Sequence, residues 1–171
     1  MRNIRTTLLM LVVTAMMIAV SSCGSQLTEY DRSSLTDLLE NELNIPGDQI
    51  TLSGNDLSAD YNDVMIRATF FDDSDDAHEY FGDLFYDFAL KFNNKEMFRG
   101  EFKSDSSADS GYVVLRGEDS EAEIFGTDYR MGPVYAGLYY SGSMVMTIIP
   151  GNEGAFEDTA AVIDKLGYPN V

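Results

Sequence analysis

The sequence predicts a single α+β domain, two to three helices packed on a largely antiparallel sheet of five to six strands. Three observations carry that expectation. Segments 64–71 and 134–149 are β-branched, aromatic and apolar, and turn residues bound them. Segments 33–45, 74–93 and 153–166 instead space their apolar residues three and four apart, as a helix with one buried face requires. Ten Phe and ten Tyr supply the bulk of one core, and no repeat, proline-rich linker or second boundary divides residues 33–171.

Ser33 or Ser34 can cap the first helix, whose Leu35, Leu38, Leu39 and Leu43 share a face and which Pro46-Gly47 stops. Residues 49–53 make a short strand ending in the turn Gly54-Asn55-Asp56. In 64–71, Val64, Ile66, Ala68 and Phe70 point one way, Arg67 and Thr69 the other. The longest helix, 74–93, carries the stripe Ala77, Phe81, Leu84, Phe85, Phe88 and Phe92. Residues 97–103 then alternate Phe98 and Phe102 with Arg99, Glu101 and Lys103. Strand, helix and strand with short links predict a right-handed crossover between parallel neighbours. Strands follow at 111–116 and 121–125, then an irregular loop over 126–133. A last helix has Phe156, Ala160, Ile163 and Leu166 on one side and stops at Gly167 and Pro169.

Between them, "VYAGLYYSGSMVMTIIPG" reads as strands 134–140 and 143–149 joined at Ser141-Gly142. That turn would set Tyr139 opposite Met144, Gly137 opposite Met146 and Tyr135 opposite Ile148, with Leu138, Val145, Val134 and Ile149 behind. Both faces are apolar. One takes helices; the other must be covered as well or serve as a contact surface. Tyr135, Gly137, Tyr139, Met144 and Met146 are therefore candidates for a partner-binding face, with a hairpin buried on both sides as the alternative.

Residues 1–22 have a separate character. Arg2 and Arg5 precede an apolar run over 8–20, and Val20-Ser21-Ser22 leads to Cys23, the only cysteine. Thirteen helical residues span about 20 Å, short of the ~30 Å hydrocarbon core. Val20-Ser21-Ser22-Cys23 resembles the lipobox of bacterial lipoproteins. The resemblance implies a signal peptide over 1–22, a diacylglyceryl group on the Cys23 thiol, a lipidated tether over 23–32 and a membrane-anchored location in the bacterial cell envelope, outside the cytoplasm. Two acyl chains give a stable anchor where one does not, each buried CH₂ contributing about 0.8 kcal/mol.

Removing 1–22 takes two of the 11 Lys and Arg, leaving 9 against 29 Asp and Glu, a formal charge of −20. Nucleic-acid binding depends on cationic side chains and is not expected. The acids of "FFDDSDDAHEYF" (70–81) raise the idea of calcium, but the spacing lacks the glycine of a helix–loop–helix site and better fits acids gathered at a helix N-terminus. His78, the sole histidine, lies among them without a serine-nucleophile motif. No catalytic constellation, metal site or cofactor is expected. The function read from these residues is a lipid-anchored binding or interaction module with an envelope protein as possible partner. The alternatives are a carboxylate-based envelope hydrolase, a calcium-binding lipoprotein or a purely structural one.

Overall fold

Asp31 starts the first helix. Its Oδ1 accepts the Ser34 N–H at 2.8 Å and the hydroxyls of Ser33 and Ser34 at 3.0 and 2.8 Å. Those bonds favour the charged carboxylate and hold its pKa below the usual value. The cap thus falls two residues before the earlier of the two predicted serines, which sit in the first turn and donate to it.

The computed structural model describes residues 27–92, 98–120, 123–128 and 132–171. The predicted signal peptide, Cys23 and residues 24–26 lie outside these. Among the described residues are three α-helices, α1 (Arg32–Glu42), α2 (Ser74–Phe92) and α3 (Phe156–Lys165). The strands are β1 (Ile50–Ser53), β2 (Asp56–Tyr61), β3 (Val64–Phe70), β4 (Phe98–Ser106), β5 (Ser110–Ser120), β6 (Glu123–Ile124), β7 (Thr127–Asp128), β8 (Val134–Ser141) and β9 (Met144–Pro150). Seven form one antiparallel sheet, ordered β1-β2-β3-β9-β8-β5-β4, while β6 and β7 pair only with each other.

The fold is α+β, but the sheet has seven strands rather than five to six. β2 accounts for part of the difference. Its sequence, DLSADY, has two acids, a serine and an alanine, residues poor in strand propensity. Pairing on both sides outweighs that deficit, and Leu57 and Ala59 are buried. Its link to β3 turns on Asn62 and Asp63, both at positive φ, a conformation that Asn and Asp tolerate better than most residues. The parallel crossover is also corrected. β3 and β4 run the same way, but β9, β8 and β5 lie between them, because the chain carries α2 across the sheet to its far edge.

Two cores result. On one face α1 and α3 cover Leu57, Ile66, Val114, Tyr139, Met146 and Ile148; on the other α2 covers Val113, Leu115, Leu138, Tyr140 and Val145. The α2 face is aromatic, with Phe88 against Phe102 (5.8 Å) and Phe125 (5.3 Å). A Schellman motif closes α3: Tyr168 N–H bonds the Ile163 carbonyl and Gly167 N–H that of Asp164, with Gly167 at φ 73°.

The β8–β9 hairpin turns on Gly142-Ser143 instead of Ser141-Gly142. Positive φ belongs at the first central residue, and Gly142 supplies it at 56°. Tyr139 consequently faces Met146, not Met144. The slip is two residues, so each side chain keeps its predicted face. At the opposite edge β4 exposes Glu101, Lys103 and Asp105, and its register shifts between Arg99 and Gly100.

Gly137 has no room for a side chain. A Cβ there would strike the ring of Tyr139, which folds back along its own strand. We expect Gly137→Ala to lower stability by about 1–3 kcal/mol through overpacking, measured by urea denaturation, while Gly82→Ala, with open space around it, is tolerated.

Candidate functional site

Tyr135, Gly137, Tyr139, Met144 and Met146 do share one face of the hairpin, but that face is interior. All five are buried, under α1, α3 and the segment after α3. The space over Gly137 is filled by the Tyr139 ring. The partner-binding face is therefore corrected to the hairpin buried on both sides: the surface did need a cover, and this chain provides it.

Tyrosine hydroxyls in that core are matched to the last residues. Tyr139 Oη donates to the Pro169 carbonyl at 3.0 Å. Tyr135 Oη donates to the Val171 carbonyl at 3.3 Å and accepts the Val171 N–H at 3.0 Å. Tyr168 stacks on Tyr139 at 4.5 Å, yet its own buried hydroxyl has no partner among the described residues. Burial pushes the pKa of Tyr139 and Tyr168 well up, because an ionised phenolate would lose its hydration.

The acids at the head of α2 act as helix-start residues. Asp73 Oδ1 accepts the Asp76 N–H at 2.9 Å, and Asp72 through Asp76 are exposed. Among the described residues no three of His, Cys, Asp and Glu converge where a metal could be held. His78 stacks flat on Tyr140 at 5.1 Å. Tyr140 in turn donates to the Ser107 carbonyl.

A cleft opens elsewhere, on the α2 face. Six inter-strand spacings of ~4.8 Å make the sheet roughly 29 Å wide, and one helix about 10 Å across cannot span it. α2 lies over β8 and β9 and reaches β4. The β2 and β3 positions beyond it carry polar side chains: Asp56, Ser58, Arg67 and Thr69. These, with Val145 and Thr147 of β9, floor a cleft of about 290 Å³ walled by Tyr80 of α2 and by Phe125, Gly126 and Thr127.

The second wall is held at some local cost. Phe125 and Gly126 are the central residues of the β6–β7 turn, both with positive φ (47° and 77°). For a phenylalanine that conformation costs on the order of 1–2 kcal/mol. Burying the Phe125 ring against Phe88 offsets it. Residues 121–125 were expected as a strand and 126–133 as an irregular loop; in the described part Glu123-Ile124 and Thr127-Asp128 form this small ribbon. Phe-Gly lacks the Asn-Gly signal that announces such a turn.

Within the cleft, Thr69 Oγ1 donates to Asp56 Oδ1 at 2.8 Å. Arg67, exposed, has no carboxylate partner among the described residues, and its guanidinium donates to the Met65 sulfur at 3.8 Å. By contrast, Arg32, Arg116 and Lys165 each lie over an aromatic ring. The cleft therefore offers a guanidinium, hydroxyls, one carboxylate already bonded and two rings. The alternation of 64–71 placed Arg67 and Thr69 on the outward side of β3; nothing in it joined them to Tyr80 or Thr127.

No protein-family model matches the chain, and comparison with curated proteins and with solved structures finds no match.

Tyr139→Phe should lower stability by about 1 kcal/mol, because it strands the Pro169 carbonyl. Tyr168→Phe removes a hydroxyl with no partner among the described residues and should be neutral or stabilising in the same urea titrations. Because both folded-state pKa values are raised, the stabilisation they contribute is complete below pH ~10 and declines as pH rises beyond it. Their phenolate absorbance at 295 nm should appear together with alkaline unfolding, whereas ionisation in the still-folded protein would contradict the burial.

Proposed function

We propose that this chain is a lipid-anchored, non-catalytic binding module of the bacterial cell envelope, and that it binds a small carboxylate- or phosphate-bearing ligand in the cleft floored by Arg67. The observation that carries the reading is the unpaired guanidinium. A protein of formal charge −18 has carboxylates in abundance, yet none engages Arg67 among the described residues. A planar fork of donors beside Ser58, Thr69 and Thr147 suits an anionic group. Tyr80, exposed at the cleft wall, would flank the apolar part of the same molecule.

The size fits that class of ligand. About 290 Å³ stands just below the ~300–1,000 Å³ of small-molecule sites, which suits a small ligand. Membership of the envelope is supported by the arginines, apolar run and lipobox-like Val20-Ser21-Ser22-Cys23. The guanidinium and hydroxyls lining the cleft suit holding a ligand, which supports the binding reading.

A thermal-shift screen of mono- and dicarboxylates, sugar phosphates and short peptides tests the cleft. A true ligand at 100 times its Kd should stabilise the protein by about 2.7 kcal/mol. Arg67→Gln should weaken it at least tenfold while changing unliganded stability by no more than about 0.5 kcal/mol, as an exposed substitution does. Equal affinity in Arg67→Gln, or chemical conversion of the bound compound, would overturn the proposal.

A further inference from the structure

Residues 23–32 were expected to be a lipidated tether; the described part of it, 27–32, is docked. Leu27 is 7% exposed, and its carbonyl accepts the Ser141 hydroxyl at 3.0 Å. Glu29 Oε1 accepts the Ser143 N–H at 3.3 Å, and the Glu29 carboxylate lies so close over Gly142 that a Cβ there would strike it. Tyr30 meets Tyr168 edge-on at 6.5 Å, and Asp31 caps α1. The chain is therefore fastened to the β8–β9 turn from Leu27 onward.

We infer that this docking orients the whole domain on its bilayer, with the β8–β9 turn end facing the lipid. The inference rests on the lipid attachment at Cys23 proposed above. From Cys23 to Leu27 the chain reaches at most about 14 Å, against about 30 Å for a free tether to Arg32. That leash is no longer than the ~15 Å radius of gyration of a domain this size. β8, with 8 residues, separates the two ends of the sheet by roughly 26 Å. The far end, where β9 leads into α3, cannot exchange places with the near one.

Charge sets the distance at which the near end stands. Glu29, Asp109 and Ser74, the first residue of α2, border one depression at the near end. Their acids, with Asp72, Asp73 and Asp75 beside Ser74, face the headgroups across a gap comparable to the ~8–10 Å Debye length. Repulsion between these acids and anionic lipid holds the near end off the headgroups, toward the limit of its leash. The cleft is placed by the same geometry. Thr69 pairs with Val145 one step beyond Phe70–Met144, and Arg67 pairs with Thr147 two steps further. Its floor stands about 7–13 Å along the strands from the membrane-facing turn.

The test uses full-length lipidated protein in vesicles of zwitterionic and anionic phospholipid with an acceptor dye on the headgroups. Lipidation consumes the only native thiol, so a single donor dye reports from Ala108→Cys, in the exposed β4–β5 turn, or Glu157→Cys, exposed at the start of α3. Energy transfer should be several-fold stronger from position 108, and the difference should shrink when Leu27→Asn frees the docked segment. Equal transfer from the two positions, or more from 157, overturns the orientation while leaving the anchor intact. Cys23→Ser should release the protein from the vesicles; if it stays bound, the anchor itself is wrong and the orientation falls with it.

Discussion

A hairpin that is apolar on both faces cannot lie at the edge of a sheet or carry helices on one side only. β8 and β9 impose that constraint: every residue of both strands is buried. Burying a large aliphatic or aromatic side chain contributes about 1.5–3 kcal/mol each, so leaving either face wet would forfeit more than the net stability of a typical domain. The central place of the hairpin in the sheet, the helices on both faces and the crossing of α2 all follow from covering it. So does the fastening of the last residues, whose carbonyls serve the two tyrosines that a buried face would otherwise leave unsatisfied.

Cover is unequal on the two sides, and the candidate site is a product of that inequality. Two helices shield one face and a single helix with a two-stranded ribbon shields the other. Where the single helix runs out, the sheet changes from Val145 to Thr69 and Asp56 within one row of residues. The ribbon wall needs a phenylalanine in a backbone conformation it disfavours, held by its ring in the core. Strain of that kind persists where surrounding packing over-determines it.

The extent to which the sequence disclosed this differs by element. α2 and the β8–β9 pair were legible because each has one dominant period over many residues, and the two-residue slip of the hairpin cost nothing because side-chain faces repeat every two. β2 was not legible, since Leu57 and Ala59 are diluted by acids and its strand character comes from two neighbours. The role of Tyr139 and Met146 was half legible: their chemistry demands a partner surface, but only the tertiary fold reveals that α1 and α3 are that partner. The cleft gave almost no signal, as its residues come from β2, β3, α2, β9 and the ribbon turn and meet only after folding.

Among the described residues no strand pairs with the outer edge of β4. Glu101, Lys103 and Asp105 project at alternate positions along it, and the irregularity at Arg99 and Gly100 bends its start. A second copy adding its strand there in antiparallel register would set like charges against one another for some alignments and break the hydrogen-bond ladder for others. Such an edge disfavours the strand-by-strand joining of copies of this chain into a continuous sheet.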